Sequence, residues 1–72
     1  MEKNWINLFS SANPIEVEIV KQMLDENNIT AVTLNKQDSS YNLFGTIDLY
    51  VKEENKSIAL QLISKRENER NT

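Results

Sequence analysis

Apolar and polar side chains alternate along three short stretches of the chain, with the period of two that is typical of β-strands. These stretches are residues 5–10, 29–35 and 46–51. The third is the most regular of them, so we expect it to lie at the centre of a sheet. Turn-forming residues separate the second stretch from the third, and the chain's single glycine, Gly45, comes directly before the third.

The alternation also predicts which side chains face the core of the domain. In the first stretch Ile6 and Leu8 share one face, and both faces of that stretch carry bulk. The opposite, outer face of the first stretch is expected to carry Trp5, Asn7 and Phe9. The core face of the second stretch is expected to carry Thr30, Val32 and Leu34.

After the first stretch, apolar residues recur with the period of about 3.6 that is typical of an α-helix. Asn13 and Pro14 form a typical helix start, with Asn13 as the cap and Pro14 at the first helical position. Glu16 is placed to complete a capping box, which accounts for a carboxylate inside the apolar arc. Asn27 and Asn28 are expected to end the helix, because asparagine tolerates a left-handed conformation. The apolar arc comprises Val17, Ile19, Val20, Met23 and Leu24.

A second helix is predicted to begin at Glu53, because carboxylates suit the positive end of the helix dipole. Leu60 falls outside its apolar stripe. Residues 65–72 are wholly polar, so we expect one domain over residues 1–64 and a disordered polar tail over residues 65–72. The stripe itself comprises Ile58, Ala59, Leu62 and Ile63.

The resulting order, β-α-β-β-α, defines the fold class. A right-handed crossover makes the first two strands parallel, and the third strand inserts between them, antiparallel to both. The result is an α+β, ferredoxin-like split β-α-β unit, with a three-stranded antiparallel sheet and both helices on one face. This layout lacks its usual last strand, which leaves residues 5–10 as an unprotected sheet edge.

Composition narrows the range of functions. The chain has 72 residues and a net charge of −3, which argues against nucleic acid and anionic membranes as partners. It contains no cysteine and no histidine, so we expect no disulfide, no metal site and no cofactor. The sequence shows neither a signal peptide nor an apolar run long enough for a membrane span, so we expect a cytoplasmic protein.

The same composition disfavours an enzyme. Without histidine no set of nucleophile, base and acid can be assembled, and a single glycine cannot form a phosphate-binding loop. Acyl-phosphate hydrolases share the ferredoxin-like layout, but the first loop here, residues 10–14, has no arginine to hold a phosphate. We therefore expect a non-catalytic protein.

The connection between the second and third strands is the main candidate for a functional site, since long connections in small domains are often functional. Its charged, hydroxyl and aromatic groups could bind a small polar ligand or a partner protein. The alternative is ordinary turn chemistry, with Tyr41 folded onto the sheet and Leu43 and Phe44 closing over it as a flap. The candidate binding residues are Lys36, Gln37, Asp38, Ser39, Ser40, Tyr41 and Phe44.

A second candidate surface is the edge and outer face of the sheet. Unpaired backbone groups along residues 5–10 would recruit another strand, and large side chains on the outer face add apolar area. Both features predict a homodimer, since a symmetric dimer is the commonest closed assembly. The candidate interface residues are Trp5, Asn7, Phe9 and Tyr50.

Three blocks of the sequence, residues 13–24, 29–41 and 44–51, resemble a family of small bacterial domains known as putative prokaryotic signal-transducing proteins. The order and spacing of the blocks carry the resemblance, which covers residues 5–63. Val17 and Asn28 stand where that family often has a small residue and a glycine. The resemblance implies a fold related to the PII-type nitrogen regulators and a regulatory role.

Two functions stay open on these grounds. One is a small regulatory module that binds a small polar ligand or a partner protein through residues 36–45. The other is a homo-oligomeric interaction module that uses the edge along residues 5–10 and the outer sheet face, without a small-molecule ligand.

Overall fold

The computed structural model describes residues 4–37 and 45–70, the last three by their backbone alone. Its elements, in chain order, are β1 (Trp5–Ser11), α1 (Pro14–Glu26), β2 (Ala31–Asn35), β3 (Ile47–Lys52), a short 3-10 helix (Glu53–Asn55) and α2 (Lys56–Arg70). The strands form one sheet in the order β1-β3-β2, with β3 antiparallel to both neighbours. This confirms the predicted ferredoxin-like α+β arrangement and the central position of the third strand.

The core lies between the sheet and the two helices. The inward face of β3 and buried residues of both helices belong to a single apolar cluster, which places both helices on one face of the sheet. We call the opposite face the outer face. Among the described helices, none is long and apolar enough to cross a membrane. The buried apolar residues are Val17, Val20, Leu24, Ile29, Ile47, Leu49, Val51 and Ala59.

The start of α1 follows the predicted cap, with one change of partner. The Asn13 side-chain oxygen accepts a hydrogen bond from the Ile15 N–H at 3.0 Å, and Pro14 occupies the first helical position. The Asn13 N–H donates to Ser11 Oγ at 3.0 Å. Ser11 therefore takes the role that a capping box would give to Glu16.

The end of α1 is a Schellman motif, as the asparagine pair predicts. Asn28 has a positive φ of 63°, and its N–H donates to the carbonyl of Asp25 at 3.0 Å. The Ile29 N–H donates to the carbonyl of Leu24 at 2.9 Å. Ile29 and Leu24 are both buried, which supplies the apolar contact that usually accompanies this motif.

A β-bulge in β1 reverses the predicted orientation of Phe9. Asn7 pairs with Tyr50 but Phe9 pairs with Leu49, so Leu8 is the extra residue. Residues directly opposed on antiparallel strands share a face, and Leu49 is fully buried. Phe9 therefore packs against the core, and our expectation that it lies on the outer face is wrong. The reason is that one inserted residue shifts the alternation of all that follow.

The orientation of β2 is likewise opposite to the prediction. Val32 pairs with Tyr50 and Leu34 pairs with Asp48, so both aliphatic side chains lie on the outer face. They are 36% and 42% exposed, whereas the prediction placed them in the core. The cause is Ile29, whose N–H is bonded to the end of α1 and whose side chain is buried on the helix side of the sheet. Because side chains alternate along a strand, this fixes which residues of β2 face the helices.

The apolar stripe of the second helix differs from the prediction at one residue. Ile58 is 51% exposed, although Ala59 is fully buried and Leu62 and Ile63 pack against the core. Leu60 is exposed, in agreement with its position outside the stripe. The helix α2 is described as far as Arg70, and the disordered tail over residues 65–72 stays a prediction.

Candidate functional site

The predicted loop site is described only at its first two residues. Lys36 is exposed and Gln37 is half-buried, and both follow directly after β2. The other predicted binding residues lie outside the described residues: Asp38, Ser39, Ser40, Tyr41 and Phe44.

The two ends of this connection are held together by backbone contacts. The Lys36 N–H donates to the carbonyl of Thr46 at 2.9 Å, which extends the pairing of β2 and β3 by one step. Gly45 has a φ of 90°, and a Cβ atom there would lie 2.7 Å from the carbonyl oxygen of Lys36. Glycine is therefore required at this position for both conformation and space.

Gln37 joins the same region to the start of α1. Its side-chain Nε2 donates to the carbonyl of Ala12 at 2.7 Å, across 25 positions of sequence. Its backbone N–H donates to the side-chain oxygen of Asn35 at 2.8 Å, which forms an Asx turn. Gln37, named as a binding residue from the sequence, thus serves in the structure to fix the direction in which the chain leaves β2.

A polar cluster of Ser10, Lys36, Thr46 and Asp48 lies at this end of the outer face. Asp48 is only 5% exposed, and both of its carboxylate oxygens have partners. Oδ1 accepts hydrogen bonds from Ser10 Oγ at 2.8 Å and from Thr46 Oγ1 at 3.0 Å. Oδ2 forms an ion pair with Lys36 Nζ at 2.8 Å. The cluster therefore connects β1, β3 and the residue that follows β2.

These contacts change the acidity of both charged groups. The hydrogen bond from Lys36, followed by that from Ser10, holds the pKa of Asp48 below its ordinary value, against the opposing effect of burial. The hydrogen bond to Asp48 and the charge of its carboxylate raise the pKa of Lys36. Asp48 is therefore a paired carboxylate with a lowered pKa, and it is poorly suited to act as a general base near neutral pH.

This cluster was not predicted from the sequence. Ser10 reaches Asp48 because the bulge at Leu8 brings it onto the outer face, directly opposite Asp48 in the register. One signal in the sequence pointed to the site. Asp48 interrupts the apolar run of the central strand, where a carboxylate needs partners to be tolerated.

The remainder of the outer face is aromatic and aliphatic. Trp5 is paired with Lys52, whose Nζ lies 5.9 Å from the centre of the indole ring, a cation–π contact. Tyr50 stands between Asn7 on β1 and Val32 on β2. Of the four predicted interface residues, the structure thus brings three together on this face: Trp5, Asn7 and Tyr50.

Two further observations concern the described surface. A shallow depression at the far end of β3 is lined by Asn4, Lys52, Glu53 and Glu54, remote from the polar cluster. Within residues 4–37 and 45–67, no group of three histidine, cysteine or acidic side chains is arranged to hold a metal ion.

The fold and the site together define a small α+β domain. At one end of its outer face, the buried carboxylate of Asp48 has partners for both of its oxygens. The chain belongs to the family described as putative prokaryotic signal transducing protein, whose model matches residues 5–67. This confirms the resemblance seen in the sequence, and the family description suggests a signal-transducing role. No curated protein and no solved structure matches the chain significantly.

Proposed function

We propose that the protein is a non-catalytic signalling module that binds a partner protein through the outer face of its sheet, beside the polar cluster. The observation that supports this most is the character of that face. Val32 and Leu34 are 36% and 42% exposed there, next to the half-buried rings of Trp5 and Tyr50. Both described helices pack on the opposite face.

Two arguments favour a protein over a small polar ligand. Tyrosine and tryptophan are enriched at protein interfaces, where they combine large contact area with a polar group. The polar cluster, by contrast, satisfies its own charges, because Lys36 and Asp48 neutralise each other at 2.8 Å. A ligand that used either group would have to displace the other.

The absence of catalysis is part of the proposal and is supported by the residues present. The chain has neither histidine nor cysteine. Its buried carboxylate, Asp48, is occupied by Ser10, Thr46 and Lys36 and so has a lowered pKa, which is unfavourable for a proton acceptor near neutral pH. Signal transduction by such a domain then proceeds through binding.

Matched surface variants test the proposal. A protein that co-purifies with the tagged chain is isolated, and its affinity is measured for wild type, for Tyr50→Arg and for Ile15→Arg. Tyr50 lies at the middle of the outer face, whereas Ile15 is 70% exposed on α1 and provides the same kind of change on the helix layer. We expect Tyr50→Arg to weaken binding at least about fivefold, as for an interface anchor, and Ile15→Arg to leave it unchanged.

Two results would count against the proposal. Loss of affinity in Ile15→Arg with none in Tyr50→Arg would move the interface to the helices. Saturable binding of a small molecule that shifts the amide signals of Lys36 and Gln37, with no protein partner, would favour the ligand-binding alternative.

A further inference from the structure

We infer that two copies of the chain pair through β2, antiparallel and with the two-fold axis at Thr33, to form one continuous sheet of six strands, three from each copy. This inference goes beyond the proposed partner site: it shares Val32 and Leu34 with the outer face, but it concerns the strand edge and is measured on the purified chain alone.

Strand β2 is a regular edge of the sheet that the described residues form. It lies at the end of the strand order and pairs with β3 alone among the described strands, with an unbroken register from Ala31 to Asn35. Its sequence, AVTLN, contains no charge and no proline. Charges, proline and bulges are features by which natural proteins protect edge strands from further pairing, and β2 has none of these three.

The hydrogen bonds to β3 determine which backbone groups of β2 point away from the described sheet. Lys36 donates its N–H to Thr46 on the β3 side, and the N–H and C=O of one strand residue point to the same side. Because this side alternates from one residue to the next, the backbone groups of Leu34 and Val32 also bond toward β3. The groups of the alternate residues therefore point away from the sheet, and these are Ala31, Thr33 and Asn35.

A second copy of β2 fits this edge. With Thr33 opposite Thr33 of the second copy, Ala31 falls opposite Asn35, and the outward groups form about six hydrogen bonds. Val32 then stands directly opposite Leu34 on the outer face, twice, in the closely spaced type of pair. These are the two large aliphatic side chains that the described strands leave more than a third exposed.

Charge does not oppose this pairing. The strand itself is uncharged. The part of α1 that lies beside the start of β2 carries side chains of both charges, namely Glu18, Lys21 and Asp25. A strand from a different protein would meet the same backbone groups. The match of Val32 with Leu34 about a single centre is a property of two copies related by a two-fold axis.

The other edge, β1, is the poorer template. Its register shifts between Asn7 and Phe9, and such a bulge leaves an unpaired residue and twists the strand. Bulges are one of the ways in which proteins protect edges from further pairing. The homodimer predicted from the sequence is therefore assigned to β2 in place of residues 5–10.

Charge-pair variants test the register. In the inferred register Val32→Lys with Leu34→Glu places lysine opposite glutamate twice, whereas Val32→Lys with Leu34→Lys places lysine opposite lysine twice. We expect sedimentation equilibrium at up to millimolar concentration to give twice 8.3 kDa for wild type and for the lysine–glutamate variant. The lysine–lysine variant should dissociate roughly 5- to 30-fold more readily than wild type.

A cysteine at the axis gives a second readout. The chain has no native cysteine, so Thr33→Cys introduces a single thiol. Opposed residues in a hydrogen-bonded antiparallel pair have Cα atoms about 5.5 Å apart, within the range that a disulfide spans. Mild oxidation should give a covalent dimer much faster for Thr33→Cys than for Ser57→Cys, an exposed position on α2.

Three results would overturn the inference. They are a wild-type mass of 8.3 kDa at millimolar concentration, equal dissociation of the two charge-pair variants, and cross-linking of Thr33→Cys no faster than that of the control. Circular dichroism on each variant ensures that a change in mass is not a loss of folding. Both charge-pair positions are exposed in the single chain, so the fold is expected to tolerate them.

Discussion

Asp48 lies in the central strand between Ile47 and Leu49, which are both buried. An unpaired carboxylate at such a position would be costly, since burial opposes its charge. The structure resolves this by giving both oxygens partners from three different parts of the chain. A single side chain therefore holds β1, β3 and the exit from β2 in a fixed relation at the end of the outer face.

This arrangement predicts that Asp48 contributes to stability in a pH-dependent way. Its pKa is lower in the folded chain than its ordinary value of about 4, so the unfolded state binds the proton more readily. The stabilisation is complete above about pH 5 and is lost as the pH falls through the folded-state pKa. Urea melts should therefore show a steeper acid loss for wild type than for Asp48→Asn.

The matched control for that experiment is Asp25→Asn, at an exposed position on α1. It should leave the pH dependence of wild type unchanged. If Asp48→Asn loses stability in acid as steeply as wild type, the ion pair and its hydrogen bonds do not stabilise the fold.

Gly45 gives a second prediction for a single residue. Alanine there would adopt an unfavourable φ of 90° and place its Cβ atom 2.7 Å from the carbonyl oxygen of Lys36. We expect Gly45→Ala to lower the free energy of unfolding by about 1–3 kcal/mol. Asn28→Ala shares the positive φ without a glycine-specific contact, so thermal melts should show a smaller loss for it. Equal melting temperatures for wild type and Gly45→Ala would contradict the close approach.

Among the helices, burial predicts which leucine matters. Leu24 on α1 is fully buried, whereas Leu60 on α2 is 44% exposed. Leu24→Ala should lower the free energy of unfolding by about 2–5 kcal/mol, because burial is lost and a cavity remains. Leu60→Ala should cost well under about 1 kcal/mol. Urea denaturation of the two variants checks the difference, and similar losses would mean that α2 packs differently.

The alternation of hydrogen bonds along β2 makes a further prediction for this strand. In dilute solution the amides of Val32 and Leu34 should exchange with solvent more slowly than that of Thr33, because the first two donate toward β3. Protection of the Thr33 amide should rise with protein concentration as the strand pairs with a second copy. Uniform exchange along β2 at every concentration would contradict the assignment of its free edge.

Much of the fold is predictable from local sequence, because local chemistry decides it. Asn13 with Pro14, Asn28 and Gly45 each have a conformational reason that holds wherever the residue occurs. The element order and the family resemblance then define the sheet order. The orientation of β2 cannot be predicted from local sequence, since alternation defines two faces of a strand but does not determine which of them the helices cover.

The outer face could not be predicted because it depends on long-range register. The bulge at Leu8 leaves no mark in a single sequence, yet it turns Phe9 inward and brings Ser10 to Asp48. The phase of β2 was set by Ile29, which belongs to the end of α1. Both errors concern the same surface, and their correction is what reveals an aromatic and aliphatic face with a polar cluster at its end.

For the molecule as a whole, we propose that this outer face is the surface through which the domain acts. The most direct measurement is a nuclear magnetic resonance titration of the isotope-labelled chain with the purified co-purifying protein. The predicted result is saturable shifts of the amides of Trp5, Val32 and Tyr50, with those of α1 and α2 unchanged. Saturable shifts confined to the two helices, with the strand amides unmoved, would contradict the account.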